Sequence, residues 1–278
     1  MSLSLEPRTT PLVMGVVNVT PDSFSDGGQW FEPEAALAHG RELLEQGADI
    51  LDVGGESTRP GAERPSVEEE LRRVLPVVRE LAGLGAVVSV DTMRAEVAAR
   101  AVEAGAAVIN DVSGGLADPE MAAVAASAAV PFIAMHWRGH SRDMQDKAVY
   151  ADVAAEVCAE LTVRVEQLQA QGIARENLVL DPGFGFSKLA AHNWSLLRHL
   201  DQVVGLGLPV LVGTSRKTFL GRLGVPEGGP PRPPLERDTA TAATSLYAAQ
   251  AGVWCVRVHD VPTTLDALRV AAAVSEAP

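Results

Sequence analysis

Three short side chains that can read a heterocycle each close an apolar run: Asp91 in VSVDT, Asn110 in VINDV and Asp181 in LVLDPG. Carboxylates accept paired N–H donors, and an amide offers a donor and an acceptor together, so the trio suits a flat, donor-rich ring held in one orientation. For any one of them, capping the helix behind it is an equally good use. Three at successive run ends point to a shared site. A cationic set obeys the same rule of position, since Arg59, Arg216, Lys217, Arg257 and His259 all follow apolar runs. Singly each reads as half of a solvated ion pair; together they form a clamp for phosphate or carboxylate. Lysine occurs only at 147, 188 and 217, and two of those three fall in such loops.

Other chemistries find less support. His136 and His259 lie far apart, without an HExxH helix or paired carboxylates, which argues against a tight transition-metal site. Magnesium shared with phosphate oxygens needs few protein ligands and stays open. No GxSxG elbow occurs, and Cys158 and Cys255, widely separated and without metal-type spacing, read as buried, inert thiols. A Schiff base on Lys217 is the aldolase alternative.

These residues need a scaffold that gathers many run ends on one face. The stretch MGVVNVTPDSFSDGG, residues 14–28, shows the repeating unit: an apolar strand ending at Asn18, then a loop too polar for packing. A helix-spaced segment, 33–46, follows and stops at Gly47. Strand-like runs recur at 12–19, 49–53, 86–90, 107–111, 131–135, 178–181, 209–213 and 253–258, each with a helix behind it, the last at 263–274. Eight such units predict a (β/α)8 TIM barrel, one domain over 1–278, whose active face lies at the C-terminal strand ends. An open doubly wound sheet would carry a GxGxxG turn after its first strand, and none is present. GVPEGGPPRPP, residues 224–234, reads as an insertion loop.

Composition sets the limits. A chain of 278 residues with a net charge of −13 has ample core, and lacks the basic face that sequence-independent nucleic-acid binding needs. No apolar run reaches about 18 residues, and no basic segment precedes an apolar one at the start, so a cytoplasmic protein without nucleic-acid or membrane partners is expected.

The ordered motifs NVTPDSFSDGG, DVGGESTRPGA, SVDT, INDVSGG, MH at Met135, DPGFGFSK, GTSRKTFLG and RVHDV resemble the dihydropteroate synthase family over nearly the whole chain. The resemblance implies condensation of 6-hydroxymethyl-7,8-dihydropterin pyrophosphate with 4-aminobenzoate to 7,8-dihydropteroate and pyrophosphate, in folate biosynthesis. It implies pyrophosphate leaving before the amine attacks, with Mg2+, a homodimer through the last two helices, and sulfonamide inhibition. By motif, Asp91, Asn110, Val112, Met135, Asp181, Phe186, Leu211, Gly213, Lys217 and Arg257 look like the pterin site. Asn18, Thr58, Arg59, Arg257 and His259 resemble the pyrophosphate site, with Asn18 as the metal ligand. Phe24, Thr58, Pro60, Phe186, Lys188, Ser215 and Thr218 are expected around 4-aminobenzoate. Asp91 and Lys217 carry the catalytic roles with Asp26, which would approach the pterin methylene from a lid at 24–28. Two departures are a missing proline near Ser141 and Arg142, and Thr218 where serine is common. The alternatives are a pterin-dependent methyltransferase and a non-catalytic pterin-binding homologue.

Overall fold

The computed structural model describes residues 3–20, 33–56, 64–139, 147–226 and 228–277. The strand-and-helix units run β1 (Leu12–Asn18), α1 (Pro33–Glu45), β2 (Ile50–Gly54), α2 (Val67–Gly83), β3 (Val87–Asp91), α3 (Ala95–Glu103), β4 (Val108–Asp111), α4 (Met121–Ala128), β5 (Phe132–Met135) and α5 (Val153–Ala170). They continue with β6 (Leu178–Asp181), α6 (Ala190–Arg198), α7 (Leu200–Val204), β7 (Leu211–Val212), α8 (Thr218–Gly221), α9 (Asp238–Gln250), β8 (Cys255–Val258) and α10 (Val261–Glu276). The strands pair in parallel in the order β6-β5-β4-β3-β2-β1-β8-β7. A bridge between Leu180 and Val210 joins the two edges, so the sheet curls into the expected (β/α)8 barrel.

Helix starts follow local chemistry. Ser66 caps α2 by accepting from the Glu69 amide, Asp152 caps α5 through the amides of Ala154 and Ala155, and Asp260 caps α10 through Thr263. Asp260, inside the RVHDV motif, therefore serves its own helix. Three expectations shift. The seventh strand, expected over 209–213, is only two residues long, because Pro209 has no N–H to give the ladder and glycines flank it at 205, 207 and 213. The helix behind it is likewise short, and the longer α9 follows residues 224–234 and a 3-10 turn, Pro234–Arg237. The sixth unit carries two helices, α6 and α7, which His199 separates.

Period-two alternation sorts the strand residues onto two sides. Val13, Val17, Leu51, Val53, Val88, Val90 and Ile109 face the helices in the larger apolar cluster. Leu12, Met14, Ile50, Val108, Ile133, Val179, Leu211 and Cys255 fill the barrel interior with Trp254. Leu3 and Leu5 pack beneath that interior cluster, and Ser4 O accepts from Trp254 Nε1, 3.1 Å. The lower end is thereby covered, and the chemistry is left to the opposite mouth.

Candidate active site

Stepping two residues onward from each interior apolar residue reaches the mouth, and most of what stands there is polar. Ile50 leads to Asp52, Val108 to Asn110, Val179 to Asp181, Cys255 to Arg257 and, along β3, Val87 through Ser89 to Asp91. Alternation alone therefore converges the expected ring-reading groups on one floor. Asp52, from the DVGGESTRPGA motif, joins them and is fully buried.

Arg257 ties the floor together. Its Nε donates to Asp52 Oδ2 at 2.6 Å and its Nη2 to Asp91 Oδ2 at 2.8 Å, while Asn110 Nδ2 donates to the same Asp52 oxygen at 3.0 Å. Burial works against the guanidinium charge, but Asp52 and Asp91 outweigh it and raise the pKa of Arg257. Burial raises Asp91, with Arg257 pulling the other way and Asp52 adding to the rise. Asp181 is also raised by burial, against Lys217 and an N–H from Gly183 at 2.7 Å. Gly54 faces Asp91, and a Cβ there would come within 3.3 Å of the Asp91 Cβ. Asp111, beside Asn110, points outward and accepts from Ser113 N, Ser113 Oγ and Gly115 N, so this aspartate braces the turn after β4 and caps no helix.

Lys217 approaches from the seventh unit. Its Nζ donates to Phe184 O and lies 4.6 Å from the centre of the Phe186 ring. Burial pushes its ammonium down to about 8, with Asp181 resisting. Gly185 has φ +77, and a Cβ there would stand 2.7 Å from Lys217 Cδ, so only glycine leaves that path open. Met135 is buried beside the floor, Val112 and Phe186 are half-buried at its edge, and Gly213 sits at the end of the seventh strand. Leu211 belongs to the interior apolar cluster directly under this mouth.

The other expected residues divide three ways. Asn18, at the end of β1, and His259, after β8, stand half-buried at the mouth. Ser215 Oγ lies 2.9 Å from His259 Nδ1 and accepts from His259 N at 3.1 Å, joining the expected aminobenzoate and pyrophosphate ends through one hydroxyl. Thr218 is exposed at the start of α8. Lys188 corrects the expectation that it reaches the aminobenzoate site. Its ammonium turns inward to His136 Nδ1 (3.1 Å), Gly183 O (3.1 Å) and Phe186 O (3.2 Å), three acceptors for three N–H groups. His136 Nε2 in turn meets Glu160 Oε2 at 2.9 Å, so this buried pair braces the loop after β6. Arg216 also leaves the expected anion clamp, because both arms of its guanidinium bind Asp238. Phe24, Asp26, Thr58, Arg59 and Pro60 lie outside the described residues, as do Ser141 and Arg142.

Among the described residues, no group of three or more His, Cys, Asp or Glu side chains could hold a metal ion. Asn18 offers a single neutral oxygen donor at the mouth. That donor set fits only a hard cation carried mostly by phosphate oxygens and water.

A family model described as pterin binding enzyme matches residues 14–259. The dihydropteroate synthase of Mycobacterium leprae is 52% identical over 262 residues, covering 94% of this chain and 92% of that protein. A solved structure of Xanthomonas albilineans dihydropteroate synthase with 4-aminobenzoic acid superposes with a TM-score of 0.89 at 48% identity, covering 97% of this chain and 94% of that one. Another from that organism, in complex with 7,8-dihydropteroate, gives 0.86 at 45% identity, over 99% and 97% of the two chains.

Proposed function

The chain belongs to the dihydropteroate synthases of the pterin-binding enzyme family, and from that premise we propose how its barrel mouth divides the work of the reaction. The enzyme is a transferase of folate biosynthesis. It condenses 6-hydroxymethyl-7,8-dihydropterin pyrophosphate with 4-aminobenzoate, giving 7,8-dihydropteroate and pyrophosphate.

In this reading Asp91, Asn110 and Asp181 orient the pterin ring, and Lys217 bonds its edge beside Phe186. The C–O bond to pyrophosphate breaks first, and its electron pair leaves with the anion. The methylene is then cationic, and the carboxylates of the floor, Asp91 foremost, stabilise it electrostatically. The amine of 4-aminobenzoate attacks, forms the C–N bond and loses its proton. Arg257 holds one arm on Asp52 and one on Asp91, so it sits where ring charge and departing anion meet. His259 and Asn18 complete the anion end, with Thr58 and Arg59 from the second loop. Asn18 would hold the magnesium ion, whose contribution is to shield charge on the leaving group. Phe24, Thr58, Pro60, Phe186, Ser215 and Thr218 surround the aminobenzoate, the position a sulfonamide would share. For Asp26, from the opening loop, the same proposal is a share in stabilising the cationic methylene.

The observation that carries this reading is the inward alternation that gathers Asp52, Asp91, Asn110, Asp181 and Arg257 on one floor. Its test is to mix the purified protein with both substrates and magnesium. Dihydropteroate and pyrophosphate should appear in equal amounts; pterin binding without product would overturn the reading.

One barrel domain over 1–278 and a homodimer through α9 and α10 belong to the same proposal. Tyr247 on α9, with Val270 and Val274 on α10, supports the dimer, as all three are large, apolar and exposed. No helix among the described residues is long and apolar enough to cross a membrane; a cytoplasmic setting belongs to the same proposal.

A further inference from the structure

Arg216 sits between Ser215 and Lys217, yet its side chain turns away from the mouth. Its Nε and Nη2 bind the two oxygens of Asp238, at 2.7 and 2.8 Å, at the start of α9. The Arg216 amide donates to Thr241 Oγ1 on the same helix at 3.1 Å, and its carbonyl accepts from Arg237 Nη1 at 2.7 Å. Nε, Nη2, the amide and the carbonyl of this one residue are therefore all spent on the start of α9 and the turn before it. Its φ is +57, in the left-handed region that favours glycine. It is also the third residue of a tight turn that Lys217 N closes onto Thr214 O at 3.1 Å, a position where positive φ ordinarily selects glycine.

An arginine that bears backbone strain beside two functional side chains, while touching neither, calls for a reason. The strain persists only because the surroundings over-determine it, and here the four contacts to the α9 end do so. Their consequence is directional. Ser215 faces β8, where its hydroxyl meets His259, and Lys217 faces the loop after β6, where its ammonium meets Phe184 O. Arg216, between them, faces out to α9.

We propose that Arg216 is a positioning residue: its pair with Asp238 locks the 214–217 turn to α9 and so sets where Lys217 and Ser215 stand relative to the two substrates. The proposal rests on the reading that Lys217 bonds the pterin. It separates function from stability, because glycine relieves the left-handed strain and keeps the two backbone contacts while removing the pair with Asp238.

The experiment compares Arg216→Gly, Asp238→Asn and Lys217→Ala with the unaltered enzyme. Thermal melting, kcat and KM for each substrate, and calorimetric affinity for the pterin substrate without aminobenzoate are measured. Arg216→Gly and Asp238→Asn should each lower kcat/KM for the pterin substrate about ten-fold or more. Arg216→Gly should do so with Tm unchanged or higher, and both should weaken pterin affinity. Unchanged kcat/KM in Arg216→Gly and Asp238→Asn would overturn the proposal. So would an activity loss in Arg216→Gly that merely follows a fall in Tm. Near-normal turnover in Lys217→Ala would instead overturn the underlying site reading, which keeps the two failures distinct.

Discussion

Lys217 is the residue at which charge and geometry are most closely coupled. Burial pushes its ammonium down to about 8, and Asp181 limits that fall. Only the protonated form brings a full charge to the ring beside its bond to Phe184 O, so pterin affinity should decline as pH rises through about 8. Folding stability runs the other way. The unfolded lysine holds its proton to near 10.5, so it binds more protons than the folded one between those values and stability rises with pH there. Lys188, pushed by burial to about 7 against Asp181, titrates in the neighbouring range. Lys217→Arg separates the two, because a guanidinium stays charged throughout. In a pH series of kcat/KM for the pterin substrate, that variant should lose the limb near 8 and start from a lower plateau. The unaltered limb persisting in it would move the assignment to another group.

At the scale of elements, the site depends on helix ends and strand ends being held together, and α2 supplies a sharp case. Glu70 is fully buried, accepts from Thr92 Oγ1 at 2.6 Å beyond β3, and pairs with Arg94 Nη1 at 3.0 Å ahead of α3. Glu70→Ala would leave that guanidinium without its buried partner, a loss of about 3–5 kcal/mol. Denaturant melting should register it, whereas a shift under about 1 kcal/mol would mean that water replaces the carboxylate. The strand-loop-helix rhythm that builds these elements was legible in sequence because strands alternate, turns carry glycine, and helices follow at regular spacing. Strand ends were legible too: Asp91, Asn110, Asp181 and Arg257 all lie on the floor. Asp52 was open to the same two-residue step from Ile50, although the glycine-rich polar stretch after it reads as loop. Lys188 and Arg216 were not open to it. Their directions depend on long-range partners, His136 and Asp238, that no local pattern encodes. The length of the seventh strand was obscured similarly, since Pro209 withholds an N–H from the ladder without interrupting the apolar run.

At the scale of the whole molecule, two expectations follow. The proposed dimer buries Tyr247, Val270 and Val274, so sedimentation should give twice the 29.2 kDa chain mass, and Val270→Glu should shift the protein toward monomer. A single-chain mass for the unaltered protein would remove α9 and α10 as an interface. The second expectation concerns order. Pyrophosphate at the anion end should strengthen 4-aminobenzoate binding, because Ser215 and His259 couple the two sites through one hydroxyl. Calorimetry with and without pyrophosphate checks this, and equal affinities would contradict it. Beyond both stands the claim that the inward floor and Lys217 perform the condensation. The most direct measurement is dihydropteroate formation, followed by pyrophosphate release, in Lys217→Ala and Asp181→Asn, each confirmed folded by its melting curve. The predicted result is a folded protein that forms no product; near-normal turnover in either variant would contradict the account.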